Sequence, residues 1–299
     1  MKIAGIDMGT NTFRLLIAEY NNNCINELKK QLITVRLGEG VDENAYLSPE
    51  AVKRAERAVT RFKNIINKYE VDDVTIVGTS ALRDVSNKED FIEKIKRNTG
   101  YEMKILTGEE EAQLVYKGVK KDLCGRDILL IDIGGGSTEL IFNDKFLSLN
   151  IGAVRLTERY IEDPFQVISE EEKKNIMCEV KRKIKSNGKY FLDRSPEKLA
   201  GVGGTITTMA AVDMELTEYI PEKIHQYVLT ADEIGVKINR FASMKFEKRK
   251  NITGLPESRA DIITTGALIL KGILDMFCLK KITVSDHGLL YGVIQDSFA

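Results

Sequence analysis

The 299 residues give two domains of ordinary size more readily than one. Hydrophobic residues are 43% and charged residues 30%, which provides a core and a solvated surface and argues against a disordered chain. A formal net charge of -1 argues against bulk nucleic-acid binding, so a site for a polyanion has to concentrate positive potential locally.

In chain order, IAGID and FRLLIAEY read as two strands of a hairpin turned by Gly9, Thr10 and Asn11. A third strand is expected around Gln31 to Leu37, after a polar turn at Asn21 to Asn23. Ser48-Pro49 opens a helix, a cap residue followed by proline at the first helical position, and Val52, Ala55, Val59, Phe62, Ile66 and Tyr69 keep helical spacing along it. A buried strand at Val74 to Val77, a helix from Asn87 to Arg97 closed by Gly100, a strand at Met103 to Leu106 and a helix at Glu109 to Val119 complete the first half.

The second half repeats the plan. Ile128 to Ile133 and Thr138 to Phe142 are strands, and Asn143-Asp144 turns into a third. Ser169 with Glu172, and Thr230 with Glu233, are capping boxes for helices. Leu199 to Val202 and Ile282 to Val284 are strands, Pro256 to Met276 is a helix, and His287 to the end is a last helix. Strands alternating with helices, preceded in each half by an antiparallel hairpin, give an α/β fold with a mixed sheet covered by helices. The expected domains are 1–120 and 121–299, joined near Lys120 to Gly125, with the last helix, about 287–299, as the segment able to pack back on the first.

Cys24, Cys124, Cys178 and Cys278 are scattered and form no C-x-x-C pair, which suggests neither a zinc knuckle nor a disulfide framework and fits a reduced cytoplasm. The opening MKIAGIDMGTN leaves no room for the apolar core of a signal peptide. The longest apolar stretch, around Ile262 to Phe277, is interrupted by Lys271 and Asp275 and reads as a buried helix, so no membrane partner is expected. His225 and His287 lie far apart with no partner pattern, and both are expected to be structural or surface residues.

Three glycine turns carry the chemistry. In Asp132-Ile133-Gly134-Gly135-Gly136-Ser137-Thr138-Glu139, consecutive glycines let successive backbone N–H groups converge on an anion. Ser137 and Thr138 add hydroxyls, and Asp132 and Glu139 flank the turn as carboxylates able to hold Mg²⁺ or orient water. Asp7-Met8-Gly9-Thr10-Asn11-Thr12 is a weaker copy, followed by Arg14. Gly201-Val202-Gly203-Gly204-Thr205 leads from a strand into a helix start, where unsatisfied N–H groups and the dipole favour phosphate. Arg83 in TSALRD and Arg259, opening the helix after Gly254-Leu255-Pro256, suit bidentate phosphate contact. In Gly108-Glu109-Glu110-Glu111-Ala112, a carboxylate at the foot of a helix could take a proton from attacking water. Basic runs at Lys181 to Lys189 and Lys245 to Lys250 either line a groove for a long polyanion or are solvated helix faces.

The segments GIDMGTNTFRLLIAEY, TSALRD, GEEEA, DIGGGSTEL, GVGGTITT and ESRADII stand in the order found in the exopolyphosphatase / guanosine pentaphosphate phosphatase (Ppx/GppA) family, and the chain resembles its short two-domain members over nearly its whole length. The resemblance implies two ribonuclease-H-like domains of the actin-like ATPase (sugar kinase/heat-shock/actin) superfamily, with an interdomain cleft. It implies release of terminal orthophosphate from inorganic polyphosphate or, alternatively, from pppGpp, dependent on Mg²⁺ or Mn²⁺, and hence a role in the stringent response. By the same resemblance Glu110 is the base, with Glu109 and Glu111 as alternatives. Asp132 and Glu139 serve metal and water. Asn11, Arg14, Arg83, Gly134, Gly135, Gly136, Ser137, Thr138, Gly204, Thr205 and Arg259 hold phosphate. A cytoplasmic homodimer with no DNA partner is the further expectation. Rival readings are a kinase of the same fold, which GEEEA disfavours because it points to water as acceptor, and a non-enzymatic phosphate or alarmone sensor, which would gain from losing acids beside an anion.

Overall fold

The computed structural model describes residues 1–21, 24–122, 127–194 and 196–297. The expected turn at Asn21 to Asn23, the joint at Lys120 to Gly125, Cys124 and the last two residues lie partly or wholly outside them. The chain forms two compact units: 1–120 together with 288–299, and 121–287.

The first unit is built on a five-stranded sheet of order β3-β2-β1-β4-β5. The strands are β1 (Lys2–Met8), β2 (Thr12–Asn21), β3 (Cys24–Thr34), β4 (Asp73–Gly78) and β5 (Met103–Ile105). β1, β2 and β3 are antiparallel neighbours; β4 and β5 run parallel to β1. The parallel crossovers are helices α1 (Pro49–Tyr69) and α2 (Lys88–Thr99). Ser48 caps α1 by accepting from the Ala51 N–H, and Gly100, with φ of 83°, ends α2 in the left-handed conformation. β1 is buried from Ile3 onward, as a central strand covered on both faces must be. One face packs under α1 through Phe13, Leu15, Val59 and Phe62. The other, through Ile3, Leu16 and Ala18, meets Leu290 and Ile294 of the C-terminal helix (Leu289–Asp296), which therefore belongs to the first unit.

α3 (Gly108–Val119) lies in close backbone contact with that C-terminal helix, and Lys117 Nζ pairs with Asp296 Oδ1 across them at 2.8 Å. A Cβ on Gly292 would lie 1.8 Å from the Leu114 carbonyl oxygen, and one on Gly118 would lie 2.3 Å from that of Gly288. Two glycines facing each other let the helices approach closely, and so set the position of the α3 N-terminus.

The second unit repeats the topology. Its sheet has the order β10-β11-β9-β6-β7-β8, from β6 (Ile128–Ile133), β7 (Thr138–Phe142), β8 (Lys145–Leu149), β9 (Lys198–Val202), β10 (Val228–Thr230) and β11 (Lys281–Val284). β6, β7 and β8 form the antiparallel meander, β9 and β11 run parallel to β6, and β10 is an added antiparallel edge. Both units thus have a 3-2-1-4-5 sheet with its hairpin first, the strand order of a ribonuclease-H-like domain. The helices are α4 (Ala153–Tyr160), α5 (Glu170–Asn187), α6 (Gly204–Asp213), α7 (Ala231–Ala242) and α8 (Ile263–Met276). The capping boxes at Ser169/Glu172 and Thr230/Glu233 open α5 and α7. α8 is buried almost all round against Ile131, Val180, Ile206 and Phe241.

Some elements differ from the sequence reading. The third strand starts at Cys24 and ends at Thr34, because the Val35 and Arg36 amides turn to bond the Asn11 carbonyl. The expected helix Pro256 to Met276 is a 3₁₀ turn (Glu257–Arg259) followed by α8, so Arg259 ends a turn instead of opening the long helix. No helix among the described residues is long and apolar enough to cross a membrane.

Candidate functional site

In the second unit the β6–β7 register pairs Asp132 directly with Glu139, so the two carboxylates share one face of the sheet. Both are buried, at 6% and 1% exposure. Glu139 Oε1 accepts from Ser148 Oγ at 2.7 Å. Two facing buried carboxylates repel unless a cation or protons lie with them. An all-oxygen donor pair of this kind fits Mg²⁺ or Mn²⁺.

Between them the Gly134 N–H donates to the Ser137 carbonyl (3.0 Å), closing the hairpin. The loop's carbonyls are drawn the other way. Gly134 O accepts from the Ala153 amide, Gly135 O from the Val154 and Arg155 amides, and Gly136 O from Arg155 Nε at 2.8 Å. With the carbonyls committed to α4, the Gly135 and Gly136 amides remain as donors for an anion. Gly152 is required here, since its Cβ would lie 2.4 Å from the Gly135 carbonyl oxygen. Thr138, expected as a phosphate hydroxyl, is fully buried and donates to Ile151 O at 2.6 Å, so its hydroxyl secures the hairpin.

The third glycine turn closes on the same acid. Gly203 has φ of 94°, and a Cβ there would lie 2.3 Å from Asp132 Oδ1. A Cβ on Gly204, the first residue of α6, would lie 2.0 Å from Arg259 Nη2. The guanidinium thus lies against a helix N-terminus, next to a turn that touches Asp132. Thr205 points elsewhere, buried against Gly266 of α8.

In the first unit the corresponding pair in the hairpin is Asp7 and Arg14. Arg14 Nε donates to Asp7 Oδ2 at 2.8 Å. Asn11 is 6% exposed, and its Nδ2, with Asp7 Oδ1 and Ser80 Oγ, is buried without a hydrogen-bond partner among the described residues. Ser80 was not singled out in the sequence. It starts a one-turn helix (Ser80–Arg83) after β4, whose pairing with β1 brings it beside the first glycine turn. Two buried donors and an acceptor left open in one place are what a phosphate and its cation would satisfy.

The GEEEA carboxylates separate by environment. Glu110 completes a capping box with Thr107 and pairs with Lys104 Nζ at 2.7 Å. Hydrogen bonds from Lys104 and then the Thr107 amide hold its pKa below the usual carboxylate range. Glu111, 7% exposed, receives Arg83 Nη1 at 2.7 Å, while Arg83 also donates to Leu106 O. Arg83 therefore orients a buried acid at Glu111, whereas Glu110 is engaged in the helix cap.

Three residues of the basic runs are engaged within the protein. Arg182 donates to Glu179 through Nε and Nη2, and Lys250 pairs with Glu247 and Glu257. Arg249 is fully buried and donates to five carbonyls, those of Phe241, Pro164, Ala260, Gln166 and Met244. The two histidines, far apart in sequence and expected to be structural or surface residues, lie with ring centroids 4.5 Å apart.

The model of the Ppx/GppA phosphatase family matches residues 16–299. The chain is 38% identical, over 98% of its length, to a bifunctional 3-dehydroquinate synthase/phosphatase of Fusobacterium nucleatum, of which it spans 46%. It is 32% identical to a putative exopolyphosphatase of Haemophilus influenzae, covering 98% of this chain and 90% of that one. A guanosine-5'-triphosphate,3'-diphosphate pyrophosphatase of Aliivibrio fischeri is 29% identical over 98% of this chain and 59% of its own length. Among solved structures, an exopolyphosphatase-like protein superposes with a TM-score of 0.91 at 30% identity, over 99% of this chain and 98% of that one.

Proposed function

The chain belongs to the Ppx/GppA phosphatase family, and from that premise we propose that it hydrolyses the terminal phosphoanhydride of inorganic polyphosphate, with pppGpp as the alternative substrate. The carrying observation is the buried Asp132–Glu139 pair, set beside a glycine loop whose carbonyls are turned away and a guanidinium on a helix start. That set neutralises and orients a phosphoryl group with its cation. The likeness to an exopolyphosphatase matched over nine-tenths of its length supports polyphosphate as the first substrate.

Asp132 and Glu139 would hold the divalent cation, Mg²⁺ or Mn²⁺, which offsets charge on the phosphate oxygens when bound. The Gly135 and Gly136 amides and Arg259 bind the non-bridging oxygens. Asn11 Nδ2 and Ser80 Oγ donate to phosphate in the first unit. Glu111, oriented by Arg83, takes the proton from water as it attacks the terminal phosphorus, and orthophosphate leaves with the shortened chain as the other product. Three exposed free thiols, Cys24, Cys178 and Cys278, suit a reducing, cytoplasmic compartment.

The test is phosphate release from long polyphosphate, tripolyphosphate and pppGpp, each with Mg²⁺ and with excess chelator. Metal-dependent release, fastest from long polyphosphate, is expected. Equal rates with and without chelator, or release from none of the three, would sink the reading.

A further inference from the structure

Outside the residues assigned to hydrolysis, the described chain holds one cluster with transition-metal chemistry. Asp122, His225 and His287 each present a ligand atom, and these atoms lie within 4.8 Å of one another. His287 Nδ1 is 2.7 Å from Asp122 Oδ2, and His225 Nε2 is 3.8 Å from Asp122 Oδ1. The two imidazoles lie side by side at a tilt of 31°. Their side chains are 24% and 31% exposed, and Asp122 is 18% exposed, so solvent reaches the cluster while most of each side chain is held.

The residues are far apart in sequence and meet through the added edge of the second sheet. The Gln226 amide donates to Val284 O at 2.7 Å, and the Val284 amide to Tyr227 O at 2.8 Å. That ladder brings His225 beside 285–287. Gln226 Nε2 donates to the Asp122 carbonyl, which anchors the third residue. Ser285 Oγ lies 3.5 Å from His225 Nδ1 and is itself held by the His287 amide and carbonyl. The Asp286 amide donates to His225 Nδ1 at 3.4 Å, so the backbone on that side, together with Ser285, fixes the orientation of the ring whose Nε2 edge faces Asp122.

We propose that Asp122, His225 and His287 form a binding site for a zinc-class divalent cation, separate from the carboxylates assigned to the hydrolytic metal. Two imidazoles and one carboxylate suit Zn²⁺ or Co²⁺ and are a poor match for Mg²⁺, which prefers oxygen donors. Tetrahedral Zn²⁺ with ligands near 2.0–2.1 Å needs donors about 3.3 Å apart, so the widest pair closes by roughly 1.5 Å, within reach of side-chain rotation. A fourth position is left to solvent. Asp122 is the second residue after the chain first enters the second unit, and His287 is the last before it leaves. Bound metal would therefore tie together both segments by which the chain enters and leaves that unit.

The probe is Co²⁺ added to the metal-stripped full-length protein, read by its visible d–d absorption. One equivalent giving the intense bands of a four-coordinate site, displaced by equimolar Zn²⁺ and unmoved by millimolar Mg²⁺, is expected. Asp122→Asn, His225→Gln and His287→Gln should each weaken Co²⁺ binding at least about tenfold, with melting curves in chelator matching the parent. Should one of these fail to fold, the other two carry the same comparison. Asp132→Asn should keep the Co²⁺ spectrum whether or not phosphate release survives, which separates this site from the hydrolytic one. Six-coordinate aqua-type bands in the parent, or a four-coordinate spectrum that persists in the His225→Gln/His287→Gln double variant, would overturn the proposal.

Discussion

Replacing each of two adjacent glutamates by glutamine distinguishes a base from a helix cap. Glutamine keeps the size of either side chain, so the difference lies in charge and position. At 111 the substitution removes a buried carboxylate and leaves an amide oxygen for Arg83, whose Nη1 stands 2.7 Å away. Trading a charged hydrogen bond for a neutral one costs about 1–2 kcal/mol of stability, which a folded domain tolerates. Loss of a general base lowers kcat by about 10²–10⁴-fold, or about 3–5 kcal/mol in the barrier. At 110 glutamine still satisfies the capping box. What goes is the Lys104 pair, whose lysine is 64% exposed, and an exposed, solvent-screened pair of that kind is worth well under about 1 kcal/mol. Phosphate release at saturating polyphosphate, with kcat and KM fitted separately and melting curves alongside, should show Glu111→Gln losing at least two decades of kcat at nearly unchanged KM. Glu110→Gln should stay within about twofold of the parent. A Glu111→Gln enzyme turning over at near-parental rate, or a two-decade loss at Glu110→Gln, would refute the assignment.

Gly204→Ala puts a methyl 2.0 Å from Arg259 Nη2, the far end of a flexible side chain, so the fold should hold while kcat/KM falls about tenfold, the worth of one charged phosphate contact, measured by phosphate release beside a melting curve. Arg249→Met removes a donor from five buried or part-buried carbonyls and should cost about 3 kcal/mol in urea unfolding, a large share of a marginal domain's stability. At Asp213 burial raises the carboxyl pKa, but hydrogen bonds from Lys237 and Tyr227 outweigh it and the net shift is downward, while Asp213 in turn pushes Tyr227 up to about 12. Its stabilising contribution is then complete above the ordinary aspartate pKa near 4 and lost as pH falls through the lowered folded value. Melting temperature against pH should accordingly drop less steeply on the acid side in Asp213→Asn than in the parent.

Local signals carried much of the architecture. Ser48-Pro49, Ser169/Glu172 and Thr230/Glu233 each opened a helix because a cap is decided by three or four consecutive residues. The two hairpins were legible for the same reason, a short turn between apolar runs. The cap within TGEEEA was also written locally, since Thr107 stands three residues before Glu110 and the two form a capping box. Long-range features had no such signature. Ser80 reaches the first glycine turn only through the parallel β1–β4 pairing, and Arg249 sits in a run of lysines yet is buried among carbonyls from three segments, 164–166, 241–244 and Ala260. Asp122, His225 and His287 converge through a three-residue edge strand too short to announce itself by periodicity.

The two hairpins are one device with a single informative difference. In each, an aspartate at the end of the first strand faces the residue seven positions on, across a register that puts both side chains on one face. In the first unit that residue is Arg14, and the acid carries its own cation as part of the chain. In the second it is Glu139, and the same geometry yields two acids with no cation supplied by that pair. A duplicated turn that simply bound phosphate twice would be served by arginine in both places. Two acids facing each other at 6% and 1% exposure repel, and a cation entering with the substrate would offset that repulsion. The asymmetry at positions 14 and 139 accords with the proposal that the second hairpin holds the metal while the first meets phosphate with charge already built into the fold.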